Sequence, residues 1–392
     1  MTSMHEYSYW IALSHLPKWR VERINMLIVD ILNNKNMQLY EFFELGPSGW
    51  QSDFHLNTKE TEDMLKAKDS LSNYSFLAED LLAQGFTMIP INSKEYSATL
   101  KSNLKLKYSP PLLYVKGNTH LLQEPSVAIV GSRKASDRAL EFTDRVAKKC
   151  TQEMKVVVSG FAKGIDRQAL DSSIKYHGRS IIVLPQGIMT FGSGMKKYYK
   201  QLVEGEVLVL STFYPKAVWD VGLAMARNDY IYGLAEEIFV AESDSKGGTW
   251  SGVIKGLKKG RKIYVHQTDK TEKNANNILI EKGAIAVDFE GNMISLDKIQ
   301  TAQHVIAEES LAYTAEHDAE ETLEEKIVRY LSNVREPKTA RQIKYSLQLE
   351  ETVRSLSGIL KKMPEVVSSR CKKTLVFSLK GKRPLQSELF EK

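Results

Sequence analysis

"VAIVGSRKASDRALEFTDRV", from Val127 to Val146, starts as an apolar β-rich run, breaks at a Gly-Ser-Arg, and continues with apolar residues at helical spacing. "VVVSGFAKGIDRQALDSSI", from Val156 to Ile174, repeats that plan with Ser-Gly in the break and a lysine before the second glycine. Working outward, short β-rich runs recur at Val127–Val130, Val156–Val158, Ser180–Leu184, Val207–Leu210, Ile238–Ala241 and Lys262–Val265. The first three are separated by amphipathic stretches of helical length, which is the rhythm of a parallel sheet. Runs as apolar as "VAIV" and "SIIVL" need cover on both faces, so the sequence predicts a Rossmann-like, doubly wound and mostly parallel α/β sheet. In such sheets ligands sit beyond the carboxyl ends of the strands.

That rule draws attention to the two glycine-bearing breaks. Glycine lets backbone approach a ligand closely, a helix start offers free N–H groups and the positive end of a dipole, and a nearby cation adds a charge-assisted hydrogen bond. Arg133 follows Gly131 and Ser132 in one loop, and Lys163 precedes Gly164 in the other, so both loops are suited to an anion. The same glycines would also serve tight strand-to-helix turns with no ligand at all.

Several chemistries find no support. The chain has no GxxxxGK[ST] phosphate loop, no HExxH metal pair and no GxSxG nucleophile turn, and "GSGMKK" (Gly192–Lys197) is only a fragment of a dinucleotide fingerprint. The reading is therefore of a non-enzyme with no cofactor and no metal. Cys150 and Cys371 lie far apart and form no CxxC pair, which suggests core thiols. No apolar run approaches the roughly 18 residues of a membrane span and the N-terminus lacks a basic-then-apolar leader, so a cytoplasmic protein without a membrane partner is expected.

The 392 residues are 42% hydrophobic and carry a net charge of +6, and that charge is unevenly placed. From Glu321 to Lys392 there are 16 Lys and Arg against 9 Asp and Glu, a surplus of 7 that leaves the first 320 residues near neutrality. Just before this basic tail, Thr301–Glu320 carries Glu308, Glu309, Glu316, Asp318 and Glu320 with no Lys or Arg, and reads as an acidic linker. The tail reads as three helices, "TLEEKIVRYLSNV" (Thr322–Val334), "TARQIKYSL" (Thr339–Leu347) and "EETVRSLSGILKKM" (Glu350–Met363), then an alternating hairpin over Glu365–Lys380. Such an order predicts a winged helix whose cations Arg354, Lys361, Lys362, Arg370, Lys372 and Lys373 either meet duplex DNA or form a solvated face on a protein-docking module. The first 70 residues read as several short helices ending near "GPSGW" (Gly46–Trp50), with Trp10, Trp19 and Trp50 as core. The domain reading is a helical domain over 1–70, the sheet over 71–298, the linker over 299–320 and the basic tail over 321–392.

Six ordered motifs, "VAIVGSR", "VVSGFAKGID", "ARNDYIYGLAEEIFVAES", "KGGTW", "GRKIYV" and "NNILIEKGA", together with "SPPLLYVKGNTHLL" (Ser109–Leu122), resemble the bacterial DNA-processing protein A family, also called DprA or Smf. The resemblance covers roughly Leu77 to Val287. It implies a non-catalytic homodimer that binds single-stranded DNA and helps load a RecA-type recombinase, in transformation, recombination or mobile-element defence. It implies that Arg133 and Lys163 meet phosphates, that Gly131, Ser132, Ser159, Gly160 and Gly164 surround the same groove, and that Arg227, Asn228 and the Lys246, Gly247, Gly248, Thr249 stretch belong to it. Asp166 at a helix start is expected to cap locally. The chain departs from the family pattern at Asp229, where a second arginine is usual, at "SDRA" (Ser136–Ala139), and at "KGGTWSG" (Lys246–Gly252). "SHLPKWRVERIN" (Ser14–Asn25) lacks the glycines of a helix-hairpin-helix. A second class stays open: a nucleotide-binding sensor or nucleoside-phosphate hydrolase like the lysine-decarboxylase-like proteins, although "SKGGTWSG" lacks the proline and the catalytic glutamate of their PGGxGTxxE motif.

Overall fold

The computed structural model describes residues 4–269, 271–294, 323–334, 336–347, 349, 351–371 and 374–380. Contacts divide the chain into two units, one running to Leu296 and one from Asp297. The expected acidic linker lies outside the described residues.

The first unit is built on a nine-stranded sheet: β1 (Thr87–Pro90), β2 (Leu112–Gly117), β3 (Ser126–Val130), β4 (Val156–Ser159), β5 (Ser180–Val183), β6 (Val207–Ser211), β7 (Glu237–Val240), β8 (Lys262–His266) and β9 (Ile285–Val287), in the order β1-β2-β6-β5-β4-β3-β7-β8-β9. From β6 to β9 all neighbours are parallel. β2 runs antiparallel to β6, and β1 antiparallel to β2. Within the parallel part the strand numbers rise outward from β3, through β4, β5 and β6 on one side and β7, β8 and β9 on the other, so the sense of winding reverses between β3 and β7. That reversal opens a crevice at the carboxyl ends of those two strands.

Helices follow the strands because each apolar strand has two faces to cover. The helices are α1 (Met4–Ser14), α2 (Val21–Val29), α3 (Leu39–Phe54), α4 (Thr58–Asp69), α5 (Leu71–Ala83), α6 (Ala98–Leu104), α7 (Asp137–Gln152), α8 (Ile165–Lys175), α9 (Gly192–Lys197), α10 (Tyr199–Val203), α11 (Val221–Leu234), α12 (Gly248–Lys258) and α13 (Asn276–Glu281). Val127, Ile129 and Val157 pack with Phe142, Val146 and Ala147 of α7 and Ala169 of α8, while Ala128, Val130, Val156 and Val158 point the other way into a core shared with α11, α12 and the N-terminal helices. A side chain such as Phe142, fully buried here, contributes about 1.5–3 kcal/mol through its removal from water.

Cys150 on α7 is 3% exposed, and burial pushes its thiol up to about 12. In a Cys371→Ser background the native protein is therefore expected to resist a thiol reagent at pH 8 and to react fully once unfolded in urea, because the thiolate is the reacting form. Prompt labelling without urea would contradict the packing of α7 on the sheet.

The N-terminal helices extend further than their sequence suggests. "GPSGW" does not end the helical region; it lies inside α3 as a kink, with Gly46 at φ 70° and Pro47 starting the second half, and α4 and α5 follow. Trp10 and Trp50 are fully buried, and Trp50 Nε1 donates to the Phe42 carbonyl at 2.7 Å. Trp19 donates to Asp63 at 3.1 Å.

In the second unit, helices Leu323–Asn333, Ala340–Leu347 and Val353–Lys362 precede strands Val366–Cys371 and Thr374–Leu379, which pair antiparallel with Val366 opposite Leu379. Ile327, Leu331, Ile343, Leu356, Leu360 and Phe377 form its own core. Thr339 and Gln342 form a reciprocal cap at the second helix, and Thr352 accepts from the Ser355 amide at the third.

Candidate nucleic-acid interface

Three strand-to-helix loops meet at the carboxyl ends of β3, β4 and β7, and two backbone hydrogen bonds and one from a threonine hydroxyl hold them together. Ile165 N donates to the Ser132 carbonyl at 3.2 Å, Ser132 N donates to the Glu242 carbonyl at 2.9 Å, and Thr249 Oγ1 donates to the Gly131 carbonyl at 3.1 Å. Glu242 accepts from both the hydroxyl and the amide of Ser136, at 2.6 Å and 3.2 Å. Such closeness requires glycine. Gly164 holds φ +80° and a Cβ there would overlap the Ser132 carbonyl, while one at Gly160 would overlap the Arg227 guanidinium. Gly164 and Gly247 stand at the starts of α8 and α12, and neither helix has a side-chain N-cap. Helix starts of this kind favour negative charge.

Between the β3 and β7 loops lies a cleft of about 500 Å³, floored by α11. Gly131, Ser132, Arg133 and Lys134 line one wall, Lys246, Gly247, Gly248 and Thr249 the other, and Arg227 and Asn228 reach it from α11. Arg133, Lys134 and Lys246 are exposed, as is Lys163 on the adjoining β4 loop. Among the described residues none of these four cations is held in an ion pair. Four cations thus face solvent on the cleft and its adjoining β4 loop, with Asp244 the exposed acid in the lining and Asp166 buried against Arg227.

The remaining expected residues have other surroundings. Ser159 is fully buried and its hydroxyl donates to the Ile129 carbonyl at 2.7 Å, so it serves the sheet. Gly160 packs beneath Arg227, and Lys163 and Gly164 lie on the β4 loop beside the cleft rather than in its lining. Arg227 is only 3% exposed, and its Nη1 lies 3.3 Å from Asp166 Oδ2. Burial raises the Asp166 carboxyl above its ordinary range, opposed by the Arg227 charge. Asp166 therefore does not cap α8 as expected, since that helix has no side-chain cap; its carboxylate instead holds the cation that the sequence reading aims at the ligand. Asp229, the departure from the family pattern, pairs with Lys255 of α12.

Sequence reasoning passed over Lys134, which adjoins Arg133 and could have been found by its position. It also passed over Trp219, Met225 and Tyr232, which line the same cleft. Of the tail cations, Arg354, Lys361 and Lys362 are exposed, and their spacing sets them along one stripe of the helix. Arg370 lies on strand Val366–Cys371, and Lys372 and Lys373 fall outside the described residues.

An open, mostly parallel α/β sheet with a cation-rimmed cleft at the carboxyl ends of its strands is a doubly wound, Rossmann-like architecture. Residues 87–296 match the family model of DNA recombination-mediator protein A, and the chain belongs to that family. It is similar to DNA processing protein DprA of Streptococcus pneumoniae (33% identity over 156 residues, 40% of this chain and 55% of the relative). It is also similar to DNA processing protein DprA of Bacillus subtilis (29% over 238 residues, 58% of this chain and 79% of the relative). The chain thus spans about half of the pneumococcal relative in that match. Among solved structures, that of DprA from Streptococcus pneumoniae superposes with a TM-score of 0.53 at 25% identity, covering 73% of this chain and 95% of the other. Among the described residues, no helix is long and apolar enough to cross a membrane.

Proposed function

We propose that this chain binds single-stranded DNA in the cleft between the β3 and β7 loops, as a non-catalytic mediator that protects the strand and assists loading of a RecA-type recombinase. The observation that carries this reading is the set of four unpaired cations, Arg133, Lys134, Lys163 and Lys246, around a glycine-built opening beside two helix starts without side-chain caps. Phosphates are the natural partners of such an arrangement, and the relatives named as DNA processing proteins supply the class of polymer. Phosphate contacts carry no sequence information, so binding is expected to be indifferent to sequence. The test is anisotropy with labelled oligothymidylate, a duplex of equal length, and nucleoside monophosphate as competitor. Tight oligothymidylate binding that monophosphate fails to displace supports the proposal; displacement by monophosphate at comparable concentration would favour a nucleotide sensor instead.

We further propose that the second unit is a winged helix that engages duplex DNA through Arg354, Lys361 and Lys362, with Arg370 on the first hairpin strand; Lys372 and Lys373, expected to act with them, fall outside the described residues. The support is three helices, the second and third of them capped, and a hairpin with an independent core, carrying exposed cations on the third helix. Removing residues 321–392 is expected to lower duplex affinity most at low salt, where screening is weakest, and to leave single-strand affinity nearly intact. Duplex affinity unchanged by that deletion would make the unit a protein-docking module. Dimerisation through the sheet-bearing unit belongs to the same proposal, and sedimentation of the deleted chain as a monomer at micromolar concentration would refute it.

A further inference from the structure

Trp219 is 51% exposed, an unusual setting for the largest apolar side chain. The other tryptophans are occupied elsewhere: Trp10 and Trp50 are fully buried, Trp19 donates to Asp63, and Trp250 packs against the core. Trp219 stands at the mouth of the cleft with Val221 and Met225, exposed 64% and 48%, and among the described residues its indole has no hydrogen-bond or ring partner.

Its backbone, by contrast, is anchored on both sides. The Ala217 carbonyl accepts from Gly187 N at 2.8 Å, and Ala217 N donates to the Tyr214 carbonyl at 2.8 Å. Asp220 caps α11 by accepting from Gly222 N and Leu223 N at 2.6 Å and 3.1 Å. An exposed indole is thus presented from a fixed loop, facing a cleft that also contains Arg133, Lys134 and Lys246. A strand whose phosphates lie on those cations carries its bases on the sugars' other side, within reach of an aromatic rim. Beneath the cleft, Arg227 Nε and the Tyr232 hydroxyl are buried and, among the described residues, have no hydrogen-bond partner.

We propose that Trp219 is a stacking platform for one unstacked nucleobase of the bound strand, with Val221 and Met225 extending its apolar surface. The proposal rests on single-strand binding by the cleft, and it adds a base contact to the phosphate contacts proposed there. Stacking tolerates any base because each has a π-face, so it raises affinity without conferring sequence specificity.

The test compares oligothymidylate with an oligonucleotide of equal length whose residues are abasic, against the full-length parent, Trp219→Ala and Trp219→Phe. The parent is expected to favour oligothymidylate by about tenfold or more, the yield of one good stack, and binding should quench tryptophan fluorescence. Trp219→Ala should lose that preference and most of the quench while keeping the parent's affinity for the abasic strand, and Trp219→Phe should restore part of the preference. Equal binding of both strands by the parent, unaltered preference in Trp219→Ala, or an equal loss on both strands would each overturn the base contact while leaving the phosphate cleft standing. A parent that binds neither strand would overturn the cleft itself.

Discussion

A chain carrying both Arg133→Ala and Lys163→Ala is expected to bind oligothymidylate about a hundredfold more weakly than the parent, roughly tenfold for each charge-assisted phosphate contact removed. Arg133 and Lys163 sit on neighbouring loops that the Ile165 to Ser132 hydrogen bond holds together, so one strand can meet both. Each contact releases condensed counterions, and the slope of log affinity against log salt should become shallower by about 0.7 per cation. Lys262→Ala supplies the control, because that exposed lysine begins β8 at the opposite end of the sheet and should alter neither number. A double variant that binds as the parent does would remove the cleft from consideration.

Arg227→Met is expected to destabilise the first unit by about 3–5 kcal/mol, the usual consequence of leaving a buried charge without its partner. Asp166 would then stand in a site where burial already raises its pKa with the guanidinium still present. Without Arg227 the folded-state pKa climbs further above the unfolded one. A carboxyl shifted in that direction favours folding at low pH, and its contribution falls as pH rises through the interval between the two values. The deficit relative to the parent should accordingly be largest at neutral pH and shrink on acidification. Adding Asp166→Asn removes the orphaned charge and should recover part of the loss, giving a coupling that a double-mutant cycle reads directly. Thermal unfolding at several pH values checks all of this, and a deficit that is constant with pH would mean that Arg227 acts by packing alone.

The parallel strands were legible because fully apolar runs such as Val127–Val130 and Ser180–Leu184 have no other place than a sheet covered on both faces. Their loops were legible because glycine beside a cation after such a strand is a short-range signal. The antiparallel edge was less so: Thr87–Pro90 is short and ends in proline, and "LLYVKG" pairs across a long separation to Ser211, which no local pattern encodes. β9 has only three residues, too few to show a period. Within the site, the burial of Arg227 was hidden because it depends on how α11 packs over β3, β4 and β5 and meets Asp166 at the start of α8, and an arginine next to Asn228 reads locally as a ligand-facing cation. Ser159 was hidden for a similar reason, since a serine closing a strand looks the same whether its hydroxyl faces the ligand or a neighbouring strand's carbonyl. Trp219 gave no periodic signal at all in "YPKAVWD", where only its exposure in three dimensions distinguishes it.

The amides of Ser132 and Ile165 bridge loops that follow three different strands. None of the three loops can swing out alone without breaking a bond to another, so transient opening there is a shared event rather than three separate ones. In hydrogen exchange these two amides should display a common protection factor, higher than the exposed loop tips around them. Occupancy of any one loop by a phosphate would then slow exchange in all three, and the rim would report a bound strand as a single cooperative unit.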